Sequence, residues 1–236
     1  MLCTDLDGTF IGDDNSMYEL LRLIRDRDIS LVFSTGRHLP SVMQFVREKE
    51  IRMPEALIGS VGTQVYFADD GELILDDNWS QIISKDWERE KVVSLLTDIK
   101  ELVRQDDEFQ TEFKESYFLK ENQSNVLREI NQRMQGAELK AHIIYSDDTF
   151  LDFLPPLSGK AQAAGYVVDN FGLKKEDVIV CGDTGNDLDM FKAGFKGIIV
   201  GNAHAELKKF EGENAYHAVA QYASGIIEGI RHFNFI

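Results

Sequence analysis

The sequence lacks several features that mark special classes of protein. Its 236 residues contain no apolar run of the roughly 18 residues that a membrane helix needs. No basic segment followed by an apolar stretch opens the chain, as a secretory signal would require. Only two cysteines are present, which is too few for a disulfide framework in a chain of this length. We therefore expect reduced core cysteines, no membrane partner and a cytoplasmic location.

Basic residues are also scarce. Lysine and arginine number 25 against 41 aspartates and glutamates, which gives a net charge of −16 at pH 7. Such a charge repels nucleic acids and anionic membranes, so neither is an expected partner. It also repels phosphorylated ligands, so a site for one must supply positive charge locally. The hydrophobic content of 43% is ordinary for a globular protein, and the length allows one or two domains.

Apolar runs alternate with helical patterns at both ends of the chain. Short, buried-type strands are predicted at residues 2–4, 29–33, 56–61, 178–181 and 197–200. Helical patterns are found at residues 18–27, 39–50, 161–171 and 187–193. Residues 64–67 and 72–75 read as the two arms of a hairpin. This alternation predicts an α/β fold with a doubly wound, Rossmann-like parallel sheet.

The middle of the chain follows a different pattern. It predicts helices at residues 88–104 and 122–134, and strands at residues 111–119, 139–145 and 149–153. We therefore expect a small inserted α+β cap domain at residues 80–156. The core domain would then consist of residues 1–79 and 157–236.

Two acidic loops follow predicted strands. Asp5 and Asp7 come directly after the first strand, and Asp183 and Asp187 follow the apolar run at 178–180. In an open α/β sheet such loops meet beyond the carboxyl ends of the strands. Carboxylates packed together repel one another unless a cation lies among them, and an all-oxygen ligand set suits Mg²⁺. The pattern predicts magnesium-assisted phosphoryl transfer with an aspartate nucleophile.

The spacing of the aspartates suggests a division of roles. Asp5 is the expected nucleophile, and Asp7, two residues on, is the expected general acid and base. The four acids Asp5, Asp7, Asp183 and Asp187 are the expected metal site. For Asp187 an alternative stays open, because an acid at a helix start also favours the helix dipole.

Four further residues are candidates to face an anion. Thr35 and the backbone N–H of Gly36 follow a strand and could hold a phosphate oxygen, with a cap for the next helix as the alternative role of Thr35. Arg37 either contacts the phosphate or sugar or forms a surface ion pair. Lys160 stands at the start of a helix, where a cation opposes the macrodipole, so an anion is expected beside it.

These motifs resemble those of the haloacid dehalogenase superfamily of phosphatases. Their order and spacing are similar to the branch of this superfamily in which a large cap is inserted between the motif around Thr35 and the motif around Lys160. Segments 113–117, 151–155 and 227–233 look like those of sucrose-phosphatases and their bacterial relatives. The resemblance implies that Lys160 neutralises an aspartyl-phosphate and that the backbone carbonyl of Asp7 is another metal ligand. One departure is Ala161, where the relatives usually have glycine.

The resemblance also implies a set of substrate-binding residues. In the cap, Lys114 and Ser116 lie on one face of their strand and resemble residues of a sugar-binding strand. Asn202 either touches the sugar, orients Lys160 or is a turn residue. The remaining expected substrate contacts are Thr9, Gln64 (where relatives often carry glutamate) and Asn186, which could instead be a helix cap.

The expected function is a Mg²⁺-dependent phosphomonoesterase acting on a sugar phosphate, most simply sucrose 6-phosphate or a similar disaccharide phosphate, in a monomer. Three alternatives stay open. They are a phosphatase for mannosylfructose phosphate or mannosyl-phosphoglycerate, a phosphomutase, and a non-catalytic sugar-phosphate sensor.

Overall fold

The computed structural model describes residues 1–120 and 124–235. It divides the chain into two compact units. Met1–Asp76 and Lys160–Ile236 form the core unit, and Asp77–Gly159 form the inserted unit. The predicted domain boundaries at 79/80 and 156/157 lie three residues from these divisions.

The elements are as follows. The strands are β1 (Leu2–Thr4), β2 (Leu31–Ser34), β3 (Ala56–Gly59), β4 (Gln64–Asp69), β5 (Glu72–Leu75), β6 (Val103–Arg104), β7 (Glu115–Phe118), β8 (His142–Ser146), β9 (Phe150–Leu154), β10 (Ile179–Gly182), β11 (Lys196–Ile199) and β12 (Ala215–His217). The α-helices are α1 (Asp14–Asp26), α2 (Leu39–Glu48), α3 (Asp77–Ile83), α4 (Arg89–Leu96), α5 (Ser124–Gly136), α6 (Lys160–Asn170), α7 (Leu188–Lys192), α8 (Ala205–Lys208) and α9 (Tyr222–His232).

The core unit is built on an eight-stranded sheet in the order β12-β11-β10-β1-β2-β3-β4-β5. Pairing is parallel from β12 to β3, and the hairpin β4–β5 adds two antiparallel strands. Every residue of β1, β2, β3 and β10 is buried, as expected for strands covered on both faces. The predicted α/β fold with a parallel sheet is confirmed.

Helices pack on both faces of this sheet. A Cβ added to Gly229 of α9 would meet Ile198, while one added to Gly197 would meet the Phe191 ring of α7. Because Gly197 and Ile198 are successive strand residues, they point to opposite faces, so α9 and α7 cover opposite sides. The sheet is therefore doubly wound, as predicted.

Alternation also separates the two cysteines. Cys3 pairs with Val180, whereas Cys181 pairs with Thr4, so the two thiols point to opposite faces of the sheet. Both are buried and free. Burial raises the pKa of Cys3 to about 12 and that of Cys181 well above its usual value. Both are therefore protonated core residues at neutral pH.

Helix α1 begins four residues before the predicted start at residue 18. Asp13 is its N-cap, and its Oδ2 accepts a hydrogen bond from the Ser16 N–H at 2.8 Å. The sequence analysis also left β12, α3 and α9 unassigned.

The inserted unit contains a four-stranded antiparallel sheet in the order β6-β7-β9-β8. Its hydrophobic core joins β7 and β9 to α4 and α5, and it includes Val92, Tyr117, Ile130 and Phe153. The start of the second predicted helix, at residues 122–123, lies outside the described residues.

The predicted helix at 88–104 is wrong beyond Leu96. Its last two residues form β6, because Arg104 pairs with Tyr117 in the sheet and its guanidinium meets the buried carboxylate of Glu115. Cross-strand pairing has overridden a helical pattern. The predicted strand at 111–119 is also shorter, because the Thr111 N–H bonds to the Lys114 carbonyl at 3.0 Å and closes a turn.

Across the described residues, the helices fall short of the length and apolar character that crossing a bilayer requires.

Candidate active site

The polar residues singled out in the core unit gather at one edge of the sheet. Asp5 follows β1, Thr35 follows β2 and Asp183 follows β10, and β1 lies between the other two strands. The Asp5 N–H bonds to the Cys181 carbonyl at 3.0 Å, which ties the two acidic loops together. The carboxyl ends of the strands thus meet as expected for an open α/β sheet.

Lys160, the first residue of α6, is the centre of this group. Its side chain is fully buried, and its Nζ lies 2.7 Å from Asp5 Oδ1, 2.8 Å from Asn186 Oδ1 and 2.6 Å from Asp187 Oδ1. The three hydrogens of the ammonium are therefore all used. Burial alone would lower the pKa of Lys160, but the Asp187 and Asp5 carboxylates outweigh it and hold the pKa above its ordinary value. The anion expected beside this lysine is present.

Asp187 is saturated by the protein itself. Besides the Lys160 bond, its Oδ2 accepts the backbone N–H groups of Asp183 at 3.0 Å and Thr184 at 3.2 Å. It is also completely buried. Asp187 therefore holds both the lysine and the Asp183 loop in position, a role that the sequence analysis did not consider, and its metal role stays a prediction.

Asp183 and Asp5 are less well compensated. Oxygens of Asp5, Asp183 and Asp187 all lie within 4.8 Å of one another. Burial and the neighbouring Asp187 carboxylate raise the pKa of Asp183 to about 7. The Thr9 hydroxyl, which donates to Asp183 Oδ1 at 2.9 Å, lowers this pKa but does not offset the rise. Burial, with Asp187 and Asp183, also raises the pKa of Asp5 well above its usual value, although Lys160 opposes this. The cluster is short of positive charge.

Gly8 allows the two acidic loops to approach closely. Its φ is +79°, and a Cβ there would lie 2.2 Å from Asp183 Oδ2. Both the backbone conformation and the space exclude a side chain. The position of Asp183 thus requires a glycine directly after Asp7.

Asp7 lies apart from the other acids. Its carboxylate accepts two hydrogen bonds from the Arg37 guanidinium, one from Nε to Oδ2 at 2.7 Å and one from Nη2 to Oδ1. The Asp7 side chain is 57% exposed. The Arg37 guanidinium also lies 5.8 Å from the centroid of the Phe45 ring. Of the two expectations for Arg37, the structure realises an ion pair. The acid–base and metal roles of Asp7 stay predictions, and an acid–base role requires this ion pair to open.

The loop at Thr35 and Gly36 is supported by a strained turn that the sequence analysis missed. Ser60, Val61 and Gly62 all have positive φ, of 49°, 59° and 86°. The Val61 N–H bonds to the Thr35 carbonyl at 3.0 Å, and the Ser60 N–H bonds to the Arg37 carbonyl at 2.9 Å. A β-branched residue in this conformation is uncommon and costs about 1–3 kcal/mol. Only Gly62 gave a sequence signal for the turn.

Besides Thr9 and Asn186, two more of the expected substrate contacts have side chains that are engaged by the protein. Gln64 Oε1 accepts the Ser60 hydroxyl at 3.0 Å, and so belongs to the same turn. Asn202 Nδ2 donates to the Gly8 carbonyl at 2.6 Å, while its Oδ1 accepts the Tyr222 N–H at 2.8 Å. Their substrate roles stay predictions.

The inserted unit carries a second polar cluster. Lys114 and Ser116 are buried, and the Ser116 hydroxyl donates to Asp152 Oδ1 on the neighbouring strand at 2.5 Å. Burial lowers the pKa of Lys114 and raises that of Asp152, while each opposes the shift of the other. Within the described part of the chain, the Lys114 ammonium has neither a hydrogen bond nor an ion pair. Asp152 was not singled out as a site residue, because its link to Ser116 depends on strand register.

Comparisons with known proteins show the family of the chain. The model of the sucrose-6F-phosphate phosphohydrolase family matches residues 1–234. Mannosylfructose-phosphate phosphatase of Agrobacterium fabrum is 31% identical over 240 residues, covering 99% of this chain and 96% of the relative. Sucrose-phosphatase 2 of Nicotiana tabacum is 32% identical over 253 residues, but the chain spans only 59% of that protein.

A solved structure matches nearly the whole chain. The sucrose-phosphatase of Synechocystis sp. PCC6803, determined with sucrose and phosphate, has a TM-score of 0.91 and 28% identity, covering 99% of this chain and 97% of its own. A haloacid dehalogenase-like hydrolase of Bacillus subtilis, at 18% identity and a TM-score of 0.71, shares the fold. With its acidic loops and Lys160 assembled at one edge of such a sheet, the chain belongs to the sucrose-6F-phosphate phosphohydrolase family of haloacid dehalogenase-type phosphatases.

Proposed function

We propose that this phosphatase hydrolyses a disaccharide phosphate, with sucrose 6-phosphate as the first candidate, in a Mg²⁺-dependent reaction. The observation that carries the proposal is the buried Lys160 ammonium joined to Asp5, in a chain that matches a family of sugar-phosphate phosphatases over nearly its full length. The names of the full-length relatives support a disaccharide phosphate as substrate.

The residues present suit a divalent cation. Asp5, Asp183 and Asp187 contribute three carboxylates against the single ammonium of Lys160, so the ionised cluster has a net charge of 1 − 3 = −2. The raised pKa values of Asp5 and Asp183 express the same shortage of positive charge. Asp5 and Asp183 would hold Mg²⁺, with Asp187 supporting them. When bound, Mg²⁺ would neutralise the phosphate oxygens and the cluster together.

The chain's own residues supply the remaining chemistry. Asp5 Oδ2, the oxygen outside the Lys160 hydrogen bond, attacks phosphorus while the bond to the sugar oxygen breaks, giving an aspartyl-phosphate. Asp7, released from Arg37, donates a proton to the leaving oxygen. It then takes a proton from the water that attacks phosphorus and releases inorganic phosphate and free Asp5. Lys160 stabilises negative charge throughout, and Thr35 with the Gly36 N–H holds a phosphate oxygen.

The sugar part of the substrate is assigned to the inserted unit. The Lys114 ammonium offers donors, and the Asp152 carboxylate beside Ser116 offers acceptors. Sugar hydroxyl groups both donate and accept, so they satisfy both sides of this cluster. A second anionic group would satisfy Lys114 but would be repelled by Asp152.

Mannosylfructose phosphate is the second candidate. The Agrobacterium fabrum relative that is named for it matches this chain along 96% of its own length. Both candidates are disaccharide phosphates, so the same mechanism serves them.

Phosphate release by the purified protein tests the proposal. The panel would contain both disaccharide phosphates, their monosaccharide phosphates and 4-nitrophenyl phosphate, each with Mg²⁺. We expect the highest kcat/KM for a disaccharide phosphate. If none of the esters releases phosphate, the assignment is wrong, and an isomeric sugar phosphate without free phosphate would instead indicate a mutase.

A variant of the inserted unit separates the two parts of the substrate. Lys114→Ala should lower kcat/KM for the disaccharide phosphate by the worth of a charged hydrogen bond, about 1.5–3 kcal/mol or roughly 10- to 150-fold. It should spare 4-nitrophenyl phosphate. Lys100→Ala, at an exposed lysine of the same unit, is the control and should change neither rate. Equal losses on both substrates would contradict the assignment of Lys114.

A further inference from the structure

We infer that Asn202 is a positioning residue that fixes the Asp5–Thr9 loop, and that it does not bind the sugar. This rests on the proposed function of the loop. Both ends of the Asn202 side-chain amide are already engaged, by the Gly8 carbonyl at 2.6 Å and by the Tyr222 N–H at 2.8 Å. Because one partner is an acceptor and the other a donor, only one orientation of the amide satisfies both.

Two of the hydrogen bonds within the loop are long, although a third, from the Ile11 N–H to the Leu6 carbonyl, is 2.8 Å. The Thr9 N–H lies 3.4 Å from the Leu6 carbonyl, and the Phe10 N–H lies 3.3 Å from the Asp5 carbonyl. Ordinary N–H···O bonds centre near 2.9–3.0 Å. The 2.6 Å bond from Asn202 is therefore a short contact from outside the loop, and it is made to the Gly8 carbonyl, beside the two long bonds of Thr9 and Phe10.

The Gly8 carbonyl is well placed to transmit this hold. It belongs to the peptide that leads into Thr9, whose hydroxyl donates to Asp183. Gly8 also packs directly under the Asp183 carboxylate, in a conformation that other residues avoid. Rotation of this peptide would move Thr9 and disturb Asp183, the residue proposed to hold the metal. Asn202 thus acts on the reaction centre through the backbone.

The second partner of the Asn202 amide, the Tyr222 N–H, belongs to a closely packed segment. Tyr222 begins α9 with a φ of +51°, and its ring occupies the space where a Cβ of Gly12 would lie. The Gly201 N–H bonds to the Ala220 carbonyl at 2.8 Å. Asn202 therefore connects the start of the last helix to the nucleophile loop.

Steady-state kinetics of Asn202→Ala and Asn202→Asp test the inference. Loss of a neutral hydrogen bond should lower kcat about 3- to 10-fold in the alanine variant. The aspartate variant should lose more, because it would point a carboxylate at the Gly8 carbonyl. Both losses should be equal for the disaccharide phosphate and for 4-nitrophenyl phosphate, with KM for the sugar ester unchanged. Asn15→Asp, an exposed asparagine in the first turn of α1, is the matched control and should leave both rates unchanged.

Hydrogen exchange gives a readout that does not depend on turnover. In both Asn202 variants, peptides covering residues 5–11 should exchange faster than in the wild-type protein, whereas Asn15→Asp should not change them. A raised KM for the sugar ester, with an unchanged rate on the aryl ester and unchanged exchange, would overturn the inference and make Asn202 a sugar ligand. Unchanged kinetics and exchange would overturn it as well. A wild-type protein without activity would refute the proposed function, while exchange would still decide whether Asn202 holds the loop.

Discussion

Replacing Lys160 by methionine should cost this protein more stability than any other single loss of a lysine charge that we can identify in the described residues. Methionine has a similar length but neither charge nor donors. The ammonium is fully buried and contacts Asp5, Asn186 and Asp187 at 2.6–2.8 Å. Removing one partner of a buried ion pair costs about 3–5 kcal/mol, since the remaining charge is left unpaired. For a chain of this size that corresponds to a fall in Tm of roughly 6–20 °C.

Most of this cost should fall on Asp187. The Asp5 side chain is 9% exposed and can hydrate, whereas that of Asp187 is 0% exposed. Asp187→Asn should therefore destabilise the wild-type protein but stabilise the Lys160→Met variant. A double-mutant cycle of these two changes, measured by urea unfolding without Mg²⁺ at neutral pH, gives the coupling directly.

An exposed lysine provides the control. Lys192 lies 3.6 Å from Asp189 on α7 with 55% of its side chain exposed, so Lys192→Met should change stability by less than about 1 kcal/mol. Turnover of 4-nitrophenyl phosphate by Lys160→Met should fall by at least about 100-fold. The reasoning is refuted if Lys160→Met unfolds at the same urea concentration as the wild type, or if Asp187→Asn has the same sign of effect in both backgrounds.

Three further predictions concern the two acidic loops. Asp5→Asn should abolish turnover and the covalent phosphoryl adduct, whereas Asp7→Asn should slow turnover by roughly 10²–10⁴-fold; wild-type rates in either would remove that residue's assigned role. The pKa of Asp183 is raised to about 7 in the folded protein. Between about pH 4 and pH 7, the folded protein therefore holds a proton on Asp183 that the unfolded chain has lost. The metal-free protein should therefore lose stability as pH rises through that window, and Mg²⁺ should restore it; a flat urea-unfolding profile would contradict this. Gly8→Ala would drive a Cβ into the Asp183 carboxylate, so both stability and activity should fall, and an active, equally stable variant would show that the loop adapts.

The acidic loops could be predicted because strand-end position is encoded locally. Asp5 and Asp183 each follow a short apolar run, and the carboxyl ends of parallel strands share one edge of the sheet. The parallel order of the core sheet also follows from alternating strands and helices. These inferences require only neighbours in sequence.

Contacts that depend on register or on backbone strain could not be predicted in the same way. The ion pair between Asp7 and Arg37 joins residues thirty positions apart, and its geometry is set by two loops. Asp152 meets Ser116 only because β7 and β9 pair in one register. The left-handed turn that contains Val61 contradicts the preference of a β-branched residue, so the propensity of Val61 argues against the turn that it forms.

The two buried lysines show how far environment decides a role that residue type leaves open. Lys160 donates three hydrogen bonds and its pKa is held above the ordinary value, so we expect it to be a fixed part of the proposed reaction centre. Lys114 is also buried, but its pKa is lowered, and its ammonium meets no partner among the residues described. Burying an ammonium without hydrogen bonds is costly, and the cost falls when ligand oxygens supply them. Lys160, whose hydrogen bonds are all made within the protein, therefore suits a role that is the same for every substrate. Lys114, whose hydrogen bonds are left to a ligand, suits the recognition of a particular sugar.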